Sequence, residues 1–347
     1  MRLAFLLIFI QAFFLIIALT SGFLNSLLLF SFLIVCFLFI FCGFYLGGLI
    51  RVKKIIKLHS VEAIGKRYAL SLLLIFVVPI LIKMILAEDL FREVILREFY
   101  SESFIGPISF GILLQCLQVF FLIFFAYGKV SHHFFWIVLF LSLLSGTKSG
   151  FLYFTVVYCF ILIKFEKFSM KTLLLALALI LFLSFMRSSF FNSTFDMSNL
   201  LAYTVYPFSN FEYVADNPNS FMPAIVRFIE LKSNDLGYDF LHADFRDVGE
   251  GGGVTNVYTM YADYIVLFGY FLTLIFLFIV SFLSSFLYNA KDKILSILGA
   301  HIVCYICFGF FNEKILLSYS FYPKYFAFIF ILVALTSPVL FFRRKEL

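Results

Sequence analysis

The sequence predicts an all-α integral membrane protein with about ten transmembrane helices, one large external loop and both termini in the cytoplasm. Three observations lead to this fold class: an apolar composition, a series of apolar runs long enough to cross a bilayer, and basic residues concentrated on one side of those runs. Of the 347 residues, 63% are hydrophobic and 13% are charged, and the mean hydropathy is +1.07. Such a composition is typical of membrane-spanning helices and excludes an ordinary soluble domain. We expect 1–347 to form a single polytopic membrane domain.

The apolar runs define the predicted helices, because about 20 apolar residues are needed to cross the hydrocarbon core of a bilayer. Two of the runs are short, and the polar turn 145–150 separates them. If both cross, Lys148 in that turn lies near the outer membrane surface, where it either extends to the interface or presents a cation to a polar cavity. The ten predicted spans are 3–19, 24–46, 68–86, 105–127, 134–145, 151–163, 172–186, 264–288, 294–311 and 318–342.

The orientation follows from the distribution of charge. With the N-terminus inside, the segments that face the cytoplasm contain 16 of the 26 Lys and Arg residues but only 4 of the 20 Asp and Glu residues. Cytoplasmic connections of membrane proteins carry such an excess of basic residues. The inverted topology would place this excess on the wrong side, so the sequence predicts that both termini are cytoplasmic.

The connection 187–263 is the longest polar stretch of the chain and is external in this topology. We predict short helices at 198–206 and 221–232 within it, and a flexible hinge at the glycine run 249–253. Since the flanking segments can do little except span a bilayer, any chemistry is expected in this loop and at the helix ends that meet it.

Cations on the external face are the clearest candidates for a binding site. Arginine pairs bidentately with phosphate oxygens and lysine binds them as a point charge, so these cations suit a substrate with a diphosphate beside a lipid tail. The alternative is that each one extends to the interface or pairs locally. The candidates are Lys148, Arg187, Arg227, Arg246 and Lys324.

Several enzyme signatures are absent from the sequence. There is no G-x-x-x-x-G-K-[ST] run for nucleotide phosphates, no H-E-x-x-H zinc motif and no G-x-S-x-G nucleophile elbow. The D-x-D pair that binds metal-complexed nucleotide sugars is also missing. We therefore expect no metal, no cofactor and no nucleic-acid partner.

Three short stretches resemble a known family. They are the turn 145–150 (Ser-Gly-Thr-Lys-Ser-Gly), the loop segment 203–210 (Tyr-Thr-Val-Tyr-Pro-Phe-Ser-Asn), and the glycine-rich and tyrosine-containing stretch 251–259 with a Phe-Gly pair at 268–269. They are similar to bacterial O-antigen polymerases, in the oligosaccharide repeat unit polymerase family related to O-antigen ligases. The order of elements resembles that family over most of the chain. Lys148 departs from it, because arginine usually stands at this position.

The resemblance implies a glycosyltransferase of the bacterial inner membrane that builds O-antigen, capsular polysaccharide or exopolysaccharide on the periplasmic face, without a metal. It would transfer a growing glycan from undecaprenyl diphosphate to the terminal sugar of a new lipid-linked repeat unit. The implied partners are undecaprenyl-diphosphate-linked oligosaccharide, the lipid bilayer, a chain-length regulator and a flippase.

The resemblance also implies roles for individual residues. Fixed cations would stabilise the developing charge of the diphosphate leaving group, and Arg187 is the catalytic candidate among them. A general base near the acceptor hydroxyl would be His242 or Asp263. Aromatic rings that stack on sugars would be those of Tyr203, Tyr206 and Tyr258.

Other functional classes stay open at this point. A flippase for lipid-linked oligosaccharides would be expected to have internal repeats and helix-breaking or ionisable residues near the middle of the membrane. An O-antigen ligase is the nearest alternative among enzymes. Another polyprenyl-dependent glycosyltransferase would use the acidic pair Glu88 and Asp89 of the first external loop. A structural membrane protein is a further alternative.

Overall fold

The structure is a computed structural model that is mostly helical. Its helices are α1 (Arg2–Thr20), α2 (Leu27–Leu49), α3 (His59–Ala63), α4 (Lys66–Leu86), α5 (Phe110–Ala126), α6 (His133–Ser142), α7 (Lys148–Phe165), α8 (Tyr206–Asp216), α9 (Met260–Asn289), α10 (Lys293–Cys307) and α11 (Phe321–Lys345), with a 3₁₀ turn at Pro218–Ser220. It describes residues 2–50, 59–87, 102–105, 108–142, 148–165, 205–222, 239–240, 246–248, 253–255, 259–309 and 321–345.

Within the described ranges, six short strands form three two-stranded pairs. The pairs β1–β2 and β5–β6 are antiparallel, whereas β3–β4 is parallel. The strands are β1 (Ser103–Ile105), β2 (Ile108–Ser109), β3 (Phe221–Met222), β4 (Asp239–Phe240), β5 (Arg246–Val248) and β6 (Gly253–Thr255).

Three helices of the described residues are long and apolar enough to cross a membrane, as judged by their length and composition: α2, α4 and α9. Shorter apolar helices occur at six further places that the sequence predicts to span, and the predicted span 172–186 lies outside the described residues. The structure thus supports the coarser part of the prediction, a mostly helical membrane protein. The number of spans and their orientation stay predictions.

The contacts group the chain into two compact units. The first comprises Met1–Val52, Phe195–Ala290 and Leu298–Ser320, and therefore contains α1, α2, α8, α9, most of α10 and the strands β3 to β6. The second comprises Lys53–Thr194, Lys291–Ile297 and Phe321–Leu347. Each unit draws on distant parts of the sequence and contains apolar helices.

In the first unit, α2 packs closely against the C-terminal part of α9. A Cβ atom added at Gly43 would lie 2.6 Å from the carbonyl oxygen of Phe278, and one added at Gly47 would meet the carbonyl oxygen of Phe282. The later glycine on α2 thus faces the later carbonyl on α9, four residues further along each helix. The two helices therefore run in the same direction. Small residues at this spacing let helix backbones approach closely in a membrane. The Ser285 hydroxyl then donates a hydrogen bond to the Phe44 carbonyl over 2.8 Å.

Helix α9 is broken at Gly269, whose φ of 69° and ψ of 175° lie outside the helical region. In an unbroken helix, residues 264 and 276 would lie about 18 Å apart along the axis. Instead, the ring centroids of Tyr264 and Phe276 are 4.9 Å apart, and those of Phe268 and Phe276 are 4.8 Å apart. The segment 260–268 therefore folds back along the start of the segment 270–289, and we call it the re-entrant segment. The span predicted at 264–288 corresponds to α9, but the prediction does not include this break, because hydropathy does not register a backbone reversal at a glycine.

In the second unit, aromatic side chains join α5, α6 and α7. The rings of Phe135 and Tyr158 stack at 3.9 Å with an angle of 12° between their planes, and Phe121 packs near both. At the end of α4, Lys83 forms an ion pair with Glu102 over 2.6 Å. This unit is held by packed rings, and a cation at one of its helix ends is paired within it.

Three predicted local structures differ from the observed ones. The span predicted at 105–127 begins as a helix only at Phe110, because Ser109 caps that helix by accepting a hydrogen bond from the N–H of Ile112 and residues before it form strands. Of the helix predicted at 198–206, residues 198–204 lie outside the described residues, and Tyr206 begins helix α8 instead of ending a helix. Pro207 lies in the first turn of α8, where proline needs no hydrogen-bond partner. Of the helix predicted at 221–232, the described residues Phe221–Met222 form strand β3.

Candidate functional site

The candidate site in the first unit is organised by helix α8, the one helix described within the predicted external loop. Its Glu212 carboxylate accepts hydrogen bonds from the backbone N–H groups of Asn25, at 3.0 Å, and of Ser26, at 2.7 Å. These groups lie at the N-terminus of α2, where a carboxylate satisfies unpaired N–H donors and interacts favourably with the helix dipole. The loop is thereby tied to the start of a candidate membrane span.

Helix α8 also contacts the broken helix. The Tyr270 hydroxyl donates a hydrogen bond to the Ala215 carbonyl over 2.9 Å, one residue after the break at Gly269. The Phe32 ring lies 5.1 Å from the Tyr270 ring and 6.5 Å from the Phe211 ring. Helix α8 therefore joins the N-terminal ends of α2 and of the segment 270–289, the two helices that run side by side.

A hairpin formed by β5 and β6 lies against α8. Its register pairs Arg246 with Thr255 and Val248 with Gly253. The glycine run, predicted to be a hinge into the next span, therefore connects two antiparallel strands, and Gly253 belongs to the second of them. The hairpin places Arg246 at the strand end far from the turn.

The re-entrant segment carries the buried acid Asp263. Thr259 caps the segment by accepting a hydrogen bond from the N–H of Ala262, so the helix begins at Met260 and Asp263 lies in its first turn instead of at the end of the loop. The Asp263 residue is 4% exposed. The ring of the next residue, Tyr264, lies 4.9 Å from the ring of Phe276, so Asp263 lies beside the candidate span 270–289. Ionisable residues within a membrane are costly and usually functional.

The re-entrant segment starts where helix α10 ends, at the level of the middle of α1. The Met260 N–H donates a hydrogen bond to the Gly309 carbonyl over 2.6 Å. The side chain of Gln11 bonds both the last carbonyls of α10 and the Tyr261 hydroxyl. Two helix ends thus meet inside the apolar part of the first unit, with backbone groups paired internally as a bilayer requires.

The predicted site residues are distributed over both units. In the first, Tyr206 is buried with its ring 5.0 Å from the Phe23 ring, and Arg246 and Asp263 lie as described. In the second, Lys148 is the first residue of α7 and Lys324 is partly exposed in the first turn of α11. The remaining candidates lie outside the described residues: Arg187, Tyr203, Arg227, His242 and Tyr258. The assignment of all these residues to a site stays a prediction.

Two residues of the structural site, Gln11 and Glu212, were not singled out by the sequence. Gln11 could have been recognised from the sequence, because an amide in the centre of an apolar span needs a hydrogen-bond partner. Glu212 had none, since it is one of several acids in a polar loop. Its partner is a helix end far away in the chain.

No family model, curated protein or solved structure matches the chain. Among the residues that the structure describes, no group of three or more His, Cys, Asp or Glu residues is arranged to hold a metal ion. The functional reading therefore depends on the residues themselves and on the resemblance of the three short stretches.

Proposed function

We propose that the chain is a polymerase of polyprenyl-diphosphate-linked glycan repeat units, working on the periplasmic face of the bacterial inner membrane. The observation that carries the proposal is the buried acid Asp263 on a re-entrant segment. Helix α8 of the predicted external loop and the β5–β6 hairpin belong to the same unit and contact each other. An acid below the membrane surface suits an acceptor sugar that must reach a lipid-linked donor. The resemblance to O-antigen polymerases supports the same function.

The chemistry would be a direct glycosyl transfer. The acceptor hydroxyl oxygen forms a bond to the anomeric carbon of the donor sugar, while the bond from that carbon to the diphosphate oxygen breaks. The hydroxyl proton passes to the Asp263 carboxylate, and the electron pair of the broken bond leaves with the polyprenyl diphosphate. His242 is the other candidate for this base.

Cations of the predicted external face would stabilise the charge that develops on the leaving diphosphate, an effect that fixed charges supply without reorganisation. Arg187 is the catalytic candidate, and Lys148, Arg227, Arg246 and Lys324 are the binding candidates. Tyr203 and Tyr258 would stack on sugar rings. The buried ring of Tyr206 packs on Phe23 and would instead stabilise helix α8.

The test is reconstitution of the purified chain in liposomes that contain a lipid-linked oligosaccharide, with glycan length as the measured quantity. The wild type should form polymers, and Asp263→Asn should lower the rate by about 100-fold or more, as expected for loss of a general base. Asp216→Asn is the matched control, because Asp216 is an exposed acid on α8. A wild-type rate in Asp263→Asn would reject the base, and no polymer from the wild type would reject the function.

A flippase is the second candidate, and one observation favours it. Broken helices whose ends meet in the membrane are typical of transporters, and α9 and α10 have such ends. The same liposomes distinguish the two functions, since a flippase moves the lipid-linked oligosaccharide between leaflets without lengthening it.

A deletion strain separates the enzymes from one another. A single repeat unit on the final acceptor indicates a missing polymerase, and the absence of any unit there indicates a missing ligase or flippase. Loss of activity in Glu88→Ala and Asp89→Ala alone would favour a glycosyltransferase that uses the first external loop.

A further inference from the structure

Gln11 is the central residue of α1 and its side chain has no exposure. A primary amide has two N–H donors and a carbonyl acceptor, and leaving them unpaired in an apolar environment is costly. The helix could have carried leucine at this position, as most of its neighbours are apolar. The amide must therefore be explained by what it contacts.

Three hydrogen bonds of the Gln11 side chain reach helix ends that meet at the re-entrant segment. Its Nε2 donates hydrogen bonds to the carbonyls of Ile306, at 3.0 Å, and of Cys307, at 2.7 Å. These are carbonyls of the last turn of α10, which the helix itself leaves without partners. The Ile306 carbonyl also accepts a hydrogen bond from the N–H of Gly309, just beyond the helix. Its Oε1 accepts a hydrogen bond from the Tyr261 hydroxyl over 3.1 Å.

Tyr261 lies two residues before Asp263, in the same first turn of the re-entrant segment. Its ring is fully buried and lies 5.8 Å from the Phe37 ring of α2. One side chain of α1 thus holds the end of α10 and the start of the re-entrant segment. The Met260 to Gly309 hydrogen bond joins those two ends directly.

We propose that Gln11 is a positioning residue, which sets the depth in the membrane at which the re-entrant segment presents Asp263. This inference rests on the proposed function for the role of Asp263 as the base. The claim that Gln11 holds the segment 259–268 in place does not depend on that function, and it can be measured without any activity.

The first measurement is amide hydrogen exchange of the peptide covering 259–268 in lipid nanodiscs. Gln11→Leu fills a similar volume but leaves the Cys307 carbonyl and the Tyr261 hydroxyl without their partner, while the Ile306 carbonyl keeps its hydrogen bond from the Gly309 N–H. Exchange in this peptide should therefore accelerate by about tenfold. Tyr261→Phe removes one of the three bonds and should give a smaller acceleration. This second variant decides the matter if Gln11→Leu is not recovered as a folded protein.

Ser281→Ala is the matched control in the same unit. The Ser281 hydroxyl is buried and has no hydrogen-bond partner among the described residues, so its loss should leave exchange at 259–268 unchanged. Equal exchange in wild type, Gln11→Leu and Tyr261→Phe would overturn the proposal.

The second measurement separates positioning from general stability. Gln11→Leu should lower kcat while leaving KM for the lipid-linked donor unchanged, because a displaced base affects the reaction more than lipid binding. Gln11→Glu keeps the shape and, when protonated, one donor, so its kcat should fall between those of wild type and Gln11→Leu. An unchanged kcat in Gln11→Leu would overturn the positioning role. If the wild type makes no polymer, the proposed function is rejected. Hydrogen exchange then still tests whether Gln11 holds the segment 259–268 in place.

Discussion

At the scale of single residues, the charge that matters most in the described part of the external loop is an acid instead of a base. Glu212 accepts three hydrogen bonds from the N-terminus of α2, although 186 residues separate it from Ser26. Hydrogen bonds to an ionised acceptor are stronger than those between neutral groups. Glu212 is therefore a charged residue that connects the loop to the start of α2, beside the Tyr270 to Ala215 hydrogen bond and the contact between the Phe32 and Phe211 rings.

Glu212→Ala should lower the free energy of unfolding by about 1–3 kcal/mol, because two N–H groups at a helix N-terminus lose a charged acceptor. Glu212→Gln, which keeps a neutral acceptor, should cost less. The measurement is thermal unfolding of the detergent-solubilised protein. Asp216→Asn, a change of an exposed acid on the same helix, should have little effect, and an equal loss of stability in Asp216→Asn would show that Glu212 has no special role.

Residue types could be predicted from the sequence more readily than residue partners. The cations, the lone external histidine and Asp263 stand out in an apolar chain because charge is rare there. The burial of Asp263 in the first turn of a helix could not be read from the sequence, because it depends on where Thr259 caps that helix. The partner of Glu212 was equally unpredictable, since nothing local links a loop acid to a distant helix end.

At the scale of elements, hydropathy located the helices well, because apolar runs of sufficient length must hide their backbone polar groups in a bilayer. Predicted spans at 3–19 and 24–46 correspond to α1 and α2 within three residues at each end. The break in α9 was missed, because a hydropathy profile contains no information about chain direction. Gly269 adopts a backbone conformation that is nearly restricted to glycine, which allows the segment 260–268 to fold back.

The contact between α2 and α9 gives a prediction at this scale. Gly47→Ala places a Cβ atom against the Phe282 carbonyl, and Gly43→Ala places one 2.6 Å from the Phe278 carbonyl. Since backbone atoms cannot move aside as a side chain can, each change should cost about 1–3 kcal/mol of unfolding free energy, a typical penalty for overpacking. Gly65→Ala is the control, because its added Cβ would meet nothing within 4 Å. Thermal unfolding in detergent should rank Gly65→Ala closest to wild type, and equal stability of all three variants would refute close packing of α2 on α9.

At the scale of the whole molecule, the distribution of charge gives more information than its sum. A net charge of +6 is compatible with many anionic partners, but 16 of the 26 basic residues fall in segments on one side of the predicted spans. Orientation is set by basic residues close to the ends of spans. The contacts within each unit cannot be derived from the distribution of charge, because each unit combines distant segments, such as 1–52 with 195–290.

The topology itself is the prediction at this largest scale, and reporter fusions at successive positions test it. Alkaline phosphatase is active only outside the cytoplasm, so a fusion after Asn217, just beyond α8, should be active, and one after Lys167 should be inactive. Green fluorescent protein, which becomes fluorescent in the cytoplasm, should give the opposite pattern at both positions. The reason is the cost of moving the basic segments that precede and follow each span to the external side.

The pair of fusions after Ala87 and Val130 is the matched control, because these positions flank a single predicted span and must report opposite sides. Fluorescence from the fusion after Asn217 would place Glu212 and Arg246 in the cytoplasm, where lipid-linked repeat units are not polymerised in the proposed function.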